Sequence, residues 1–174
     1  ITLKEENENK TMNKLKILIA DDEEFLQELY EMILEPEVPC QFVKFFNANT
    51  AIEALKADST FDLIISDYNM PGSNGGKLYL FNKENQKIPF FLMSGGILKD
   101  YKEFNDFKET NSLNQFFNKP FEEEELITAT KRILEIKYPP SAPAEAPSID
   151  SQYVKVKLSH YLDFTTSSTD VFIK

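Results

Sequence analysis

Four short motifs hold the residues able to do chemistry: the acid pair Asp21-Asp22, Asp67 within SDYNMPG, Ser94 within FFLMSGG, and Lys119-Pro120 within NKPF. Each has an ordinary structural use. Adjacent aspartates at a strand end cap the helix that follows, and an Asp ahead of Pro-Gly serves a turn. A Ser before two glycines also suits a turn, and a single Lys is ordinarily a solvated surface residue. Together they describe something more specific. Asp67 is a carboxylate of the kind that forms an aspartyl phosphate. Asp21 and Asp22 are hard oxygen donors suited to Mg²⁺, which lets an anionic phosphoryl donor approach. A lysine at the same place is a point charge for phosphoryl oxygens. Gly95 and Gly96 leave room for a group close to the backbone, and Pro120 is a position for a cis peptide.

The elements that must carry these residues follow from hydrophobic patterning. Residues 15–20 (LKILIA) form an apolar run that predicts a buried strand. Residues 23–34 place Phe25, Leu26, Leu29, Ile33 and Leu34 at helical spacing, ended by Pro36. Residues 41–46 read as a strand, and Asn49 and Thr50 as caps of a helix carrying Ile52 and Leu55. Residues 61–66 are a third strand, followed by the glycine-rich loop MPGSNGG, whose composition predicts a loose connection. A short helix at 76–83, a strand at 89–93, a polar helical stretch at 97–110, a strand at 115–117 and a helix at 121–136 complete the series. The polarity of 97–110 predicts a fourth helix that is either irregular or poorly packed. Five strands alternating with five helices through short connections require an α/β fold, a doubly wound five-stranded parallel sheet covered on both faces. Ligands of such sheets bind beyond the carboxyl ends of the strands. Asp21, Asp22, Asp67, Ser94 and Lys119 each follow a strand directly.

The chain order Asp-Asp, Asp in D-x-x-M-P-G, Ser, Lys-Pro resembles a two-component response-regulator receiver domain over residues 14–136. The resemblance implies a CheY-like sheet of order 2-1-3-4-5. It implies that Asp67 is the phosphoacceptor and attacks the phosphohistidine of a sensor histidine kinase or phosphotransfer protein. It implies Mg²⁺ held by Asp22, Asp67 and the backbone carbonyl of Asn69, with Asp21 assisting through water. Lys119 would bind a phosphoryl oxygen, Ser94 would move toward the phosphoryl group, and the aromatic three residues before Lys119, Phe116, would swing inward as a switch. Phe116 has no hydroxyl, so such a switch would rely on burial. Family members also pair as homodimers on activation. The resemblance describes a signalling protein and not an enzyme, its only chemistry being self-phosphorylation and self-dephosphorylation.

Composition bounds the rest. With 29 acidic against 19 basic residues the formal charge is −10, a field that repels nucleic-acid phosphates and anionic lipid. Cys40 is the only cysteine, so no internal disulfide forms and a reducing compartment, the cytoplasm, is expected. No apolar stretch reaches the ~20 residues of a membrane span. Residues 1–13 are a polar extension; Met12 reads as a natural start, with residues 1–11 either foreign or part of a longer chain. Residues 137–150 form a Pro/Ala-rich linker, and residues 151–174 alternate like strands of a partial output domain or a tail that pairs with a partner. His160, the only histidine, lies in that tail and not on a helix, so the phosphoryl donor is another protein. Three other readings stand beside the receiver. The first is a phosphorylation-independent binding module of the same fold, which the complete set of acids, Ser and Lys disfavours. The second is an aspartyl-nucleophile phosphatase, which would want an acid where Asn69 stands. The third is a transcription factor, for which residues 151–174 show neither a basic cluster nor a helix-turn-helix pattern.

Overall fold

The computed structural model describes residues 13–139; the expectations for the polar N-terminal extension, the linker beyond 139 and the strand-like tail lie outside them. In chain order the elements are β1 (Leu15–Ala20), α1 (Glu24–Leu34), β2 (Cys40–Phe45), α2 (Ala48–Ala57), β3 (Leu63–Asp67), α3 (Gly75–Asn85), β4 (Phe90–Ser94), α4 (Phe107–Thr110), β5 (Gln115–Asn118) and α5 (Glu123–Lys137). All neighbouring strands are parallel, in the order β2-β1-β3-β4-β5, the topology expected from the sequence.

The central strands read as continuous apolar runs because alternate residues feed two separate cores. Leu18, Ala20, Ile64, Phe90 and Leu92 pack with Ala51 and Leu55 of α2, Leu78 and Tyr79 of α3, and Phe107 of α4. Leu15, Ile17, Ile19, Ile65, Phe91, Met93 and Phe117 pack on the other face with Tyr30 and Leu34 of α1 and Leu126 and Ile127 of α5. Both cores are closed against solvent. The register then levels the strand ends: Ala20 lies opposite Ser66, Asp67 opposite Met93, and Ser94 opposite Asn118. Asp21 and Asp67 are brought side by side, with Ser94 and Lys119 just beyond them on the same rim.

Four local expectations are corrected. The cap of α2 is Asn47, whose side chain accepts from Thr50 N at 3.0 Å, two residues before the Asn49-Thr50 pair; in NANT three residues can cap, and the one that leaves the strand extended does so. Phe61 and Asp62 precede β3, Phe61 being buried against the α2–α3 side. Residues 97–110 are not one helix but two 3₁₀ turns, Leu98–Asp100 and Lys102–Phe104, followed by the four-residue α4. This segment is nevertheless well packed: the Phe104 ring stacks on Tyr79 with centroids 4.5 Å apart, and Phe107 meets both at close to right angles. Finally, Gly75 and Gly76 do not loosen the loop after β3. They open α3 and are buried, and a Cβ on Gly75 would lie 2.3 Å from the Asp67 carbonyl oxygen. Glycine is required there by close approach.

Candidate functional site

Asp21 leaves β1 almost completely buried, at 1% exposure. Its carboxylate accepts from Glu23 N (Oδ1, 3.0 Å) and from the Tyr30 hydroxyl (Oδ2, 3.2 Å), and Lys119 Nζ stands 3.5 Å from Oδ2. Burial pushes the Asp21 carboxyl above its ordinary 3.8, opposed by the Glu23 amide and the Lys119 charge. Burial, and the negative charge of Asp21 and Asp67, push the Tyr30 phenol far up, so it remains a donor. The loop itself is pinned by Gln27, whose Nε2 donates to the carbonyls of Asp21 (2.6 Å) and Phe45 (3.1 Å). α1 thereby ties the ends of β1 and β2 together. Neither Gln27 nor Tyr30 is visible as a site residue in the sequence, since each reads as part of an amphipathic helix.

Asp67 ends β3 at 6% exposure. Its Oδ1 accepts from Lys119 Nζ at 2.6 Å, while Oδ2 receives no donor among the described residues. Lys119 follows β5, joined by a cis peptide to Pro120. Its own backbone N donates to the Ser94 carbonyl at 2.8 Å, so the lysine is indexed to the end of β4. Ser94 is fully buried, and its Oγ lies 2.6 Å from the hydroxyl of Tyr101 and accepts from Gly96 N at 3.1 Å. Asp21, Asp67 and Lys119 are thus brought into direct contact, and Ser94 adjoins them through the Lys119 main chain. Asp22 and Asn69 are exposed at the mouth of the rim, and neither side chain is tied to another group among the described residues. Phe116 is half-buried against the α2–α3 core. Tyr101 and Gly75, like Gln27 and Tyr30, are site neighbours that sequence reasoning missed. Tyr101 is hidden in a polar stretch, and Gly75 was visible only as part of a glycine-rich loop.

The oxygen donors here suit a hard divalent ion. Among the described residues no three His, Cys, Asp or Glu side chains gather closely enough to form a metal cage. Mg²⁺ does not require one, because it keeps several waters and takes only one or two carboxylates. The accessible Asp22, the free Oδ2 of Asp67 and a main-chain carbonyl fit that pattern, with Asp21 behind them. Beside the rim an apolar groove of about 470 Å³ is lined by Leu26, Leu29, Ile33, Pro120 and Phe121 together with Lys119, and Phe25 on α1 is 71% exposed.

Comparison with known proteins agrees with this geometry. The family model described as response regulator receiver domain matches residues 17–131. The chain is 30% identical over 142 residues to the transcriptional regulatory protein FlgR of Helicobacter pylori, covering 76% of this chain and 34% of that protein. It is 31% identical over 116 residues to the regulatory protein VanR of Enterococcus faecium, covering 67% of this chain and 48% of that one. The chain therefore spans about a third to a half of the length of these two relatives. Among solved structures, the signal receiver domain of an HD domain-containing protein from Pseudomonas fluorescens Pf-5 superposes with a TM-score of 0.60 at 22% identity, over 75% of this chain and 94% of that one.

Proposed function

The chain belongs to the response regulator receiver domain family, and from that premise we propose that Asp67 accepts a phosphoryl group from a sensor histidine kinase or phosphotransfer protein and that the chain changes its interaction surface in response. The observation that carries this reading is the nearly buried Asp67 carboxylate with one oxygen on Lys119 and the other without a donor. A lysine so placed orients the nucleophile and offsets the charge of an incoming phosphoryl group.

In the transfer, Asp67 Oδ2 forms the new O–P bond as the N–P bond of the phosphohistidine breaks, and the electron pair of that bond returns to the imidazole. A phosphoryl group adds nearly two negative charges beside Asp21 and Asp22. A divalent ion at Asp22, Asp67 and the Asn69 carbonyl would supply the remaining neutralisation. Lys119 binds a phosphoryl oxygen, and Ser94, at the end of the adjacent strand, is placed to donate to another. The apolar groove along α1 beside Lys119 supports docking of a protein donor. The chemistry is self-modification, so the chain works as a signalling module and not as an enzyme on other substrates. No helix among the described residues is long and apolar enough to cross a membrane; a cytoplasmic location for the chain is a separate part of the proposal. Pairing of two activated copies remains part of the same proposal.

The test is intact-mass spectrometry after incubation with Mg²⁺ and a small acyl phosphate. The wild type is expected to gain one phosphoryl group and Asp67→Asn none. Labelling that persists in Asp67→Asn would reject the site. No adduct on the wild type would favour the phosphorylation-independent binding module.

A further inference from the structure

The hydroxyl of Ser94 is already engaged, and its partner is not on β5. Tyr101 lies between the two 3₁₀ turns that follow β4, and its Oη sits 2.6 Å from Ser94 Oγ. Its ring stacks on Tyr68, the residue after Asp67, with centroids 3.8 Å apart. The hydroxyl fills the space that Gly96 leaves open, since a Cβ there would fall 2.0 Å from Tyr101 Oη. Three neighbours of the phosphoacceptor strand, Tyr68, Ser94 and Gly96, therefore form a seat for one phenol.

The direction of the hydrogen bond follows from counting. A serine hydroxyl has one proton and two lone pairs. Ser94 already accepts from Gly96 N and is fully buried. If Tyr101 donated, the Ser94 proton would be buried without an acceptor, which is costly. If Ser94 donates to Tyr101, nothing is orphaned, because the phenol is only half-buried and its own proton can reach water. The phosphoryl oxygens are acceptors only, so Ser94 can serve them only by giving up Tyr101. Phe116 has no hydroxyl with which to compete.

We propose that Tyr101 is a positioning residue for phosphoryl transfer: it holds the Ser94 hydroxyl in the unmodified chain, and the phosphoryl group on Asp67 takes that proton away from it. Tyr101, freed from Ser94, then carries the change into the turns and aromatic contacts of residues 98–107. This rests on Asp67 being the phosphoacceptor.

The experiment is a double-mutant cycle on the rate of phosphoryl incorporation, read by intact mass with Mg²⁺ and a small acyl phosphate. Tyr101→Phe removes the competing acceptor and is expected to load about fivefold faster, the worth of one neutral hydrogen bond. Ser94→Ala is expected to load more slowly. The double variant is expected to match Ser94→Ala alone, an outcome that a merely looser loop would not produce. Gly96→Ala, which drives the hydroxyl off Ser94 and keeps the phenol, is expected to reproduce the acceleration. An unchanged or slower Tyr101→Phe, or an acceleration that survives in Ser94→Ala, overturns the proposal while leaving Asp67 as the acceptor. A wild type that takes up no phosphoryl group at all overturns both.

Discussion

Among the described residues Lys119 is the one cation in contact with two nearly buried carboxylates, and its removal tests whether charge neutralisation organises the rim. In Lys119→Met the stem is kept and the charge is lost. Asp67, 2.6 Å away, and Asp21, 3.5 Å away, would then face each other without it. Breaking a fully buried pair by removing one partner costs ~3–5 kcal/mol. Here a quarter of the lysine side chain is open to solvent, so water already screens part of the interaction. A loss of about 2 kcal/mol at neutral pH is the expected value, large beside the ~5–15 kcal/mol total stability of a domain.

The pH dependence carries the sign. Burial already raises the Asp21 carboxyl above 3.8, and Lys119 opposes that rise. Without the lysine the folded-state value climbs further above the unfolded one. A carboxyl with a raised folded value binds more protons in the folded state, so the variant regains stability as pH falls toward that value. The deficit of Lys119→Met should therefore be full at pH 7 and above and shrink progressively below it. Urea unfolding at a series of pH values reads this directly, with a midpoint lowered by roughly 1 M at neutral pH for a slope of about 1.5 kcal/mol per M. A midpoint unchanged at pH 7, or a deficit of equal size at acid pH, would refute the electrostatic account.

Two further outcomes follow from geometry. Gly75→Ala puts a Cβ 2.3 Å from the Asp67 carbonyl and 3.1 Å from Tyr68 Cα, both backbone atoms that cannot swing away. It should cost ~1–3 kcal/mol in thermal or urea unfolding and slow phosphoryl loading at least tenfold, since the nucleophile is displaced; a variant matching the wild type in both would contradict the packing. For Cys40, burial, reinforced by Glu35, pushes the thiol from 9.0 to about 11. Roughly a hundredfold less thiolate is then present at pH 7.5. Alkylation followed by mass should be correspondingly slow in the folded chain, rising as pH climbs toward 11, and a rate equal to that of the unfolded chain would exclude it.

The parts of the fold legible in the sequence share one property: their signal is local. β1, β3 and β4 announce themselves as apolar runs because two cores bury both faces of each, and the functional acids and the serine stand at the ends of those runs, while Lys119 follows the short β5. The aromatic seat of residues 98–107 was not legible, because Tyr101, Phe104 and Phe107 are dispersed among Lys, Asp, Glu and Asn. Their partners, Tyr68 and Tyr79, lie more than twenty residues earlier. Glycine was ambiguous for the same reason: Gly75 reads as freedom in the chain and acts as proximity in space. The cap of α2 was misplaced by two residues because NANT offers three side chains of suitable type, and only the backbone angle at Asn47 selects among them.

The site's asymmetry has a physical origin in the same distinction. Its acids stand on β1 and β3, where register alone sets them level. Its lysine comes from β5, two strands away from β3 across β4, and would be free to wander on a flexible stem. What limits this is the pair of carboxylates that hold Nζ together with the backbone bond from Lys119 N to the Ser94 carbonyl, which makes the end of β4 the reference for the main chain of the lysine and for the hydroxyl. A pull on Ser94 is therefore felt at Lys119, and a change at Lys119 at Ser94. Because Ser94 also holds Tyr101, a charge placed on Asp67 meets a linked pair of strand ends, and the two 3₁₀ turns that flank Tyr101 are the segment to which that link leads.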